Sequence, residues 1–289
     1  MLKGSIVALI TPFKDENLDE ESYIKLINYH LKNGTNGIVP GGTTGESPTL
    51  SHKEHKKIIE ISVKECNSKI PVIAGTGSNS TDEAIELSKF AEKAGSDALL
   101  IVTPYYNKPT QEGLYQHYKK INDNVGIPIV IYNIPSRSVI DMSVETMTKL
   151  YELKNIIGVK DATGDLKRVE LQKKSMGSEF IQLTGNDDNA LEFNKLGGVG
   201  AIGVTANIAA KLSSDFQKAC VEDKNKAIEL NKILQPLHEA MFIESNPSPV
   251  KYAASLLNMC NAKVRLPLVE VTEASKNKIS EALKVAKIL

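Results

Sequence analysis

Lys160 closes the apolar run Ile156-Ile157-Gly158-Val159-Lys160. A lysine at the tail of a buried strand is stripped of water, which disfavours the ammonium and frees an amine to attack a carbonyl, the entry step of Schiff-base chemistry. Position alone leaves a second option open, a lysine paired with Asp161 or snorkelling to solvent. Tyr132 ends Ile129-Val130-Ile131-Tyr132. It could donate or relay a proton, or be a core-edge aromatic with a satisfied hydroxyl. Thr43 and Thr44 lie in Gly41-Gly42-Thr43-Thr44-Gly45-Glu46. Glycines there admit a small anion, and adjacent hydroxyls and N–H groups can hold a carboxylate; a plain turn is equally open. The arginines stand at 137, 168 and 265. Arg137, just after Pro135 on a loop, suits a bidentate grip on a carboxylate or simple solvation. Tyr105 and Tyr106 are neighbours, so both cannot enter one core, and at least one faces a pocket or a partner.

These residues must be positioned by the elements around them. Short Val- and Ile-rich runs recur at residues 5–10, 37–39, 71–74, 98–103, 128–132, 156–160, 180–184 and 201–205. Most do not alternate with polar residues, as expected of parallel strands buried on both faces. Between and after them, helical patterns cover 21–31, 51–65, 81–94, 112–125, 143–153, 165–174, 189–196 and 208–221. Ser51-His52-Lys53-Glu54 has the form of a capping box, and Gly95 suits the position just past a helix end. Eight strand–helix units in about 220 residues predict an α/β chain folded as a (β/α)8 TIM barrel. A doubly wound open sheet competes. The barrel is favoured by the count and by the polar residues that follow the strands, where barrel enzymes carry their chemistry. Residues 1–222 form the expected barrel, and residues 223–289, which read as helices without strands, form a C-terminal helical appendage.

Composition removes other classes. The 289 residues carry 35 Lys plus Arg and 35 Asp plus Glu, a formal charge of zero, which gives no electrostatic case for nucleic acid or an anionic membrane. With 41% hydrophobic residues the chain is not disordered. No run approaches the ~20 apolar residues of a spanning helix, and the first residues lack a signal-peptide pattern, so a cytoplasmic enzyme is expected. Cys66, Cys220 and Cys260 lack metal-ligand spacing and read as small buried hydrophobes. His52 and His55 are three residues apart with no ligand set beside them, so no metal site is expected, and the pair reads as an exposed helix face. Gly198-Val199-Gly200-Ala201-Ile202-Gly203 matches a dinucleotide fingerprint but lies between a helix and a strand, the wrong context.

Taken together, Gly41–Glu46, Val102-Thr103-Pro104-Tyr105-Tyr106, Tyr132-Asn133-Ile134-Pro135-Ser136-Arg137 and Gly158-Val159-Lys160-Asp161-Ala162-Thr163 resemble the dihydrodipicolinate synthase family of pyruvate-dependent class I aldolases, relatives of N-acetylneuraminate lyase. The similarity runs in order from about Gly4 to Leu289 and includes Leu183-Thr184-Gly185-Asn186-Asp187-Asp188, Gly203-Val204-Thr205-Ala206-Asn207 and Asn246-Pro247-Ser248-Pro249-Val250-Lys251. It implies a lyase-class synthase of lysine (diaminopimelate) biosynthesis that condenses pyruvate with L-aspartate 4-semialdehyde. The pyruvate imine would form on Lys160, with no metal or organic cofactor. By position, Tyr132 matches a proton relay, Thr43 and Tyr106 its partners, and Tyr106 is expected to reach in from a neighbouring subunit of a homotetramer, a dimer of dimers. Thr44 matches the residue that holds the pyruvate carboxylate, and Arg137 the one that binds the semialdehyde carboxylate. Gly185 and Ile202 match positions lining the pocket through backbone groups. Ser47, His52, His55, Asn79, Glu83 and Tyr105 match an L-lysine feedback site, although Pro48 replaces a frequent alanine. Two other readings stand beside this one. A sugar-acid lyase would use the same imine on a different aldehyde; a non-catalytic barrel would bind a metabolite without turnover.

Overall fold

The apolar runs do pair as parallel strands, and the sheet they form closes on itself. In the computed structural model, which describes residues 2–289, the strands are β1 (Gly4–Ala8), β2 (Gly37–Val39), β3 (Ile73–Gly75), β4 (Ala98–Val102), β5 (Ile129–Asn133), β6 (Ile156–Asp161), β7 (Ile181–Thr184) and β8 (Gly200–Gly203). Each lies beside its neighbours in the chain, and β1 pairs with β8 from Gly4↔Gly200 to Val7↔Gly203. The remaining seam, β2 to β3, is bridged at Ile38↔Val72 and by Gly75 N–H to Pro40 O at 2.8 Å. The result is a TIM barrel rather than an open sheet.

Alternation along each strand divides the core in two. Ala98 and Leu100 of β4, Val130 and Tyr132 of β5, and Ile202 of β8 fill the barrel interior. Leu99, Ile101, Ile129, Ile131 and Val159 face the surrounding helices. That is why the runs show no polar face: both sides of each strand meet apolar side chains.

The helices are α1 (Glu20–Lys32), α2 (His52–Cys66), α3 (Thr81–Ala94), α4 (Gln111–Asn122), α5 (Val144–Tyr151), α6 (Lys167–Met176), α7 (Ala190–Lys195) and α8 (Ala210–Glu222), followed by α9 (Lys224–Met241), α10 (Ser248–Leu256) and α11 (Glu273–Val285). The Ser51–Glu54 capping box forms at the start of α2, satisfying N–H groups the helix leaves unpaired. Gly95 ends α3 at φ +96°, a conformation in which a Cβ is strained. α6 begins two residues later than its pattern suggests. Thr163 and Asp165 instead cap turns, with Asp165 N–H donating to Thr163 Oγ1 and Lys167 N–H to Asp165 Oδ1. A two-residue hairpin, Phe13–Lys14 against Asn17–Leu18, was not legible in the pattern. One hydrophobic cluster contains Leu9 and Ile10 of the β1–α1 connection, Phe216 of α8, Leu234 of α9, Val250 of α10 and Ile279 of α11, so the last three helices dock on the barrel by burying apolar area.

Candidate active site

The site is assembled at the carboxyl ends of the strands. In β6, successive side chains alternate, so Lys160 and Asp161 part company. Lys160 turns inward, is 5% exposed and stands in register with Tyr132 of β5. Its Nζ lies 4.2 Å from the Tyr132 ring centroid. Asp161 turns outward, where its carboxylate accepts from Arg168 Nε and Gln172 Nε2, both at 3.0 Å, and from the Thr163 hydroxyl at 2.6 Å. The option of a Lys160–Asp161 pair is thereby closed, and so is the option of a solvated lysine. Gly185, after β7, lets the chain pass the lysine: a Cβ there would meet Ala162 Cβ at 2.8 Å and Lys160 Cε at 3.0 Å.

A cavity of about 220 Å³ opens above the barrel, with Thr43, Tyr105, Tyr132, Ile134 and Arg137 in its lining. The β2–α2 loop supplies Thr43 and Thr44. Gly41 starts it at φ +67°, where a Cβ would meet His55 Nε2 at 2.5 Å. Thr44 is buried, and its Oγ1 accepts from Asn246 Nδ2 at 3.0 Å. Arg137 sits on a single helical turn, Pro135–Ser138, started by a proline at its first position. The Ser138 hydroxyl ties that turn to Ile134 O at 2.9 Å. Behind it, Asn133 Nδ2 donates to Asp141 Oδ1 at 2.6 Å, and Arg168 Nη1 holds Asp141 Oδ2 at 3.2 Å. Arg137 itself is exposed to the cavity and donates through Nη2 to Asn246 O at 3.4 Å. Ile202 is fully buried in the barrel interior with Tyr132.

Not every expected residue converges on this cavity. Tyr106 leaves the surface 88% exposed at φ +73°, and only its neighbour Tyr105 lines the pocket. Of the six residues matched to an effector site, Ser47 and Tyr105 line the same cavity. His52 Nε2 meets Glu83 Oε1 at 2.8 Å, and the Ser78 hydroxyl donates to the other Glu83 oxygen. Those bonds, the one from Ser78 above all, hold the Glu83 carboxyl below its ordinary range. Asn79 O accepts from Asn107 Nδ2 at 2.8 Å. His55 departs from the exposed-face reading: it is 4% exposed, with Nε2 2.7 Å from Gly75 O, and burial lowers its proton affinity. The i, i+3 spacing put both histidines on one stripe, but the stripe straddles the edge of the barrel contact.

Sequence reading missed the polar network behind the threonine loop. Glu46, at the end of the loop, is buried with Lys251 of α10, Nζ to Oε1 2.7 Å. Lys251 also donates to Thr11 O at 2.8 Å, and Arg265 N–H to Glu46 Oε2 at 2.9 Å. A charged residue inside a glycine-rich loop was the available signal. Among the described residues, no group of three or more His, Cys, Asp or Glu side chains has the geometry to hold a metal ion, and no helix is long and apolar enough to cross a membrane.

Comparison with known proteins bears on what such a site does. The sequence profile of the dihydrodipicolinate synthetase family matches residues 1–286. A 4-hydroxy-tetrahydrodipicolinate synthase of Pelagibacter ubique (strain HTCC1062) is 70% identical over 293 aligned positions, covering all of both chains. Among solved structures, the chloride-inhibited dihydrodipicolinate synthase of Acinetobacter baumannii complexed with pyruvate is 46% identical, with TM-score 0.98 and full coverage of both chains. The enzyme from Cyanidioschyzon merolae with lysine bound is 34% identical, with TM-score 0.96 over 99% of each chain.

Proposed function

The chain belongs to the dihydrodipicolinate synthetase family, and from that premise we propose that it condenses pyruvate with L-aspartate 4-semialdehyde as a 4-hydroxy-tetrahydrodipicolinate synthase of lysine biosynthesis. The observation that carries this reading is Lys160, buried inside the barrel, 4.2 Å from the Tyr132 ring centroid, while the neighbouring Asp161 is spent on Arg168. An amine so placed has no carboxylate to pair with, and Tyr132, against which it lies, lines a cavity of metabolite size.

The Lys160 amine adds to the keto carbon of pyruvate, and loss of water gives an imine. The cationic imine nitrogen draws off electron density, so a methyl proton leaves and an enamine forms. The enamine carbon bonds to the aldehyde carbon of the semialdehyde, whose oxygen takes a proton. The substrate's own amine then attacks the former keto carbon, closes the ring and expels the Lys160 amine. Electrons for each step come from the lysine and the substrates, so this sequence calls on no metal or organic cofactor. Tyr132, beside Lys160, handles protons at the imine with Thr43, which lines the same cavity. Thr44 donates to the pyruvate carboxylate, and Arg137 pairs with the carboxylate of the semialdehyde.

Tyr106 completes the relay from a neighbouring subunit. Its exposure supports that arrangement, since an outward tyrosine cannot reach its own cavity. The working assembly is a cytoplasmic homotetramer built as a dimer of dimers. L-Lysine acts as an effector at Ser47, His52, His55, Asn79, Glu83 and Tyr105, with the Glu83 carboxylate facing its ammonium; activity that stays flat against millimolar lysine rejects this part.

Borohydride reduction in the presence of pyruvate tests the central claim. A reduced adduct on Lys160, absent from Lys160→Ala, is expected, together with turnover that requires both substrates. An adduct on another lysine, or imine formation without semialdehyde consumption, overturns the assignment.

A further inference from the structure

The donors proposed for the two substrate carboxylates share one anchor, and it lies outside the barrel. Asn246, on the connection between α9 and α10, is 5% exposed. Its Nδ2 donates to Thr44 Oγ1 at 3.0 Å, and its backbone oxygen accepts from Arg137 Nη2 at 3.4 Å. Its own Oδ1 is buried without a partner. Five residues on, Lys251 grips Glu46 at the other end of the threonine loop.

The direction of the Asn246–Thr44 bond matters. A hydroxyl carries one proton and two acceptor sites, whereas an amide nitrogen only donates. With Nδ2 aimed at Oγ1, Thr44 accepts there, and its single proton is left for another partner. Without that contact the hydroxyl can rotate and spend its proton on a backbone carbonyl. Arg137 gives one N–H to the Asn246 carbonyl at 3.4 Å, and the residue also lines the cavity.

We propose that Asn246 is a positioning residue for pyruvate: through its side chain it orients Thr44, the donor for the pyruvate carboxylate, while its backbone carbonyl, which any residue there would supply, receives Arg137. The C-terminal appendage is then part of the binding apparatus and not only a buttress. This inference rests on the role given to Thr44 above.

The test uses the full-length chain and the variants Asn246→Ala, Asn246→Asp and Thr44→Val, with the double variant Asn246→Ala/Thr44→Val. Half-saturating pyruvate is read from borohydride trapping, and KM and kcat from steady-state turnover. Losing one oriented hydrogen bond to a charged group is expected to raise half-saturating pyruvate about tenfold in Asn246→Ala, with kcat within about threefold. Asn246→Asp, nearly isosteric and so the safer variant for folding, only accepts. It captures the Thr44 proton, sets a negative charge beside the carboxylate, and is expected to cost about a hundredfold. In the Thr44→Val background, Asn246→Ala is expected to add little further loss for pyruvate, because its partner is already gone. Unchanged pyruvate dependence in both Asn246 variants overturns the proposal, as does an Asn246→Ala loss that is equally large with and without Thr44. If the unmodified enzyme forms no adduct at Lys160, the underlying site reading fails; an adduct that is indifferent to Asn246 sinks only the present inference.

Discussion

Lys251→Met is expected to be among the most destabilising single changes near this site, although Lys251 touches no substrate in the proposed reaction. The Lys251 ammonium and the Glu46 carboxylate are both fully buried, 2.7 Å apart. Burial pulls the lysine below its ordinary range, and Glu46 opposes that pull. The Phe13 ring lies beneath the ammonium, 4.2 Å to its centroid. Methionine keeps much of the stem's volume but strands the Glu46 carboxylate with Arg265 N–H as its remaining partner from this network. Breaking one side of a buried pair costs about 3–5 kcal/mol. At roughly 2–4 °C per kcal/mol for a chain of this size, the unfolding midpoint should fall by about 10 °C. The double variant Glu46→Gln/Lys251→Met removes both charges and should recover much of the loss, since a neutral pair carries no stranded ion. Calorimetry at one protein concentration and one scan rate measures all three proteins on the same footing. Raising the salt should not close the gap, because a pair this deep is poorly screened. A Lys251→Met cost under about 1 kcal/mol, or a double variant less stable than Lys251→Met, refutes the view that the charges need each other.

Arg137→Ala should leave pyruvate trapping intact while weakening use of the semialdehyde by about 1.5–3 kcal/mol, roughly 10- to 100-fold in kcat/KM, the worth of a charge-assisted bond; unchanged semialdehyde kinetics remove it from that role. His117 is buried against Thr81, and burial lowers its pKa from 6.5 to about 4. The unfolded chain therefore binds a proton that the fold refuses. Stability is lost as pH falls from 6.5 towards 4, by up to about 1.4 kcal/mol per pH unit from this residue. His117→Gln should lessen the fall of denaturant-measured stability across that window without abolishing it, since burial lowers His30 too, and an unaltered slope contradicts the reading. If Tyr106 serves a neighbour's site, co-expressed Lys160→Ala and Tyr106→Phe chains should regain activity that neither has alone, because one site of each mixed pair is intact; no recovery in a confirmed mixed oligomer assigns Tyr106 elsewhere.

Legibility in the sequence followed the range of the interaction. The barrel was readable because its signals are local: Val- and Ile-rich runs buried on two faces, helices begun by Ser51 and ended by Gly95, and polar residues at strand ends. Lys160 was readable for the same reason, since a lysine closing an apolar strand is a conflict within five residues. The partition of its neighbours was not. Strand alternation sends Lys160 inward and Asp161 outward, but that Arg168 of α6 waits outside for Asp161 is seen only in the fold. His55 shows the converse, a residue whose helical stripe was right and whose burial was not, because the neighbour it packs on, Gly75, belongs to another strand.

By itself the sequence determined the alternation of strands and helices, the glycine and threonine loop, the lysine that closes an apolar strand and the paired tyrosines, all from residue type and near spacing. Only the tertiary structure decided what those groups touch. Asn246 reaches Thr44 across 202 residues, and Lys251 reaches Glu46 across 205. Such contacts leave no periodic trace in the chain. They exist because closing the barrel and burying the apolar faces of the last helices bring polar side chains into a dry seam, where each must find a partner or bear the cost of going without.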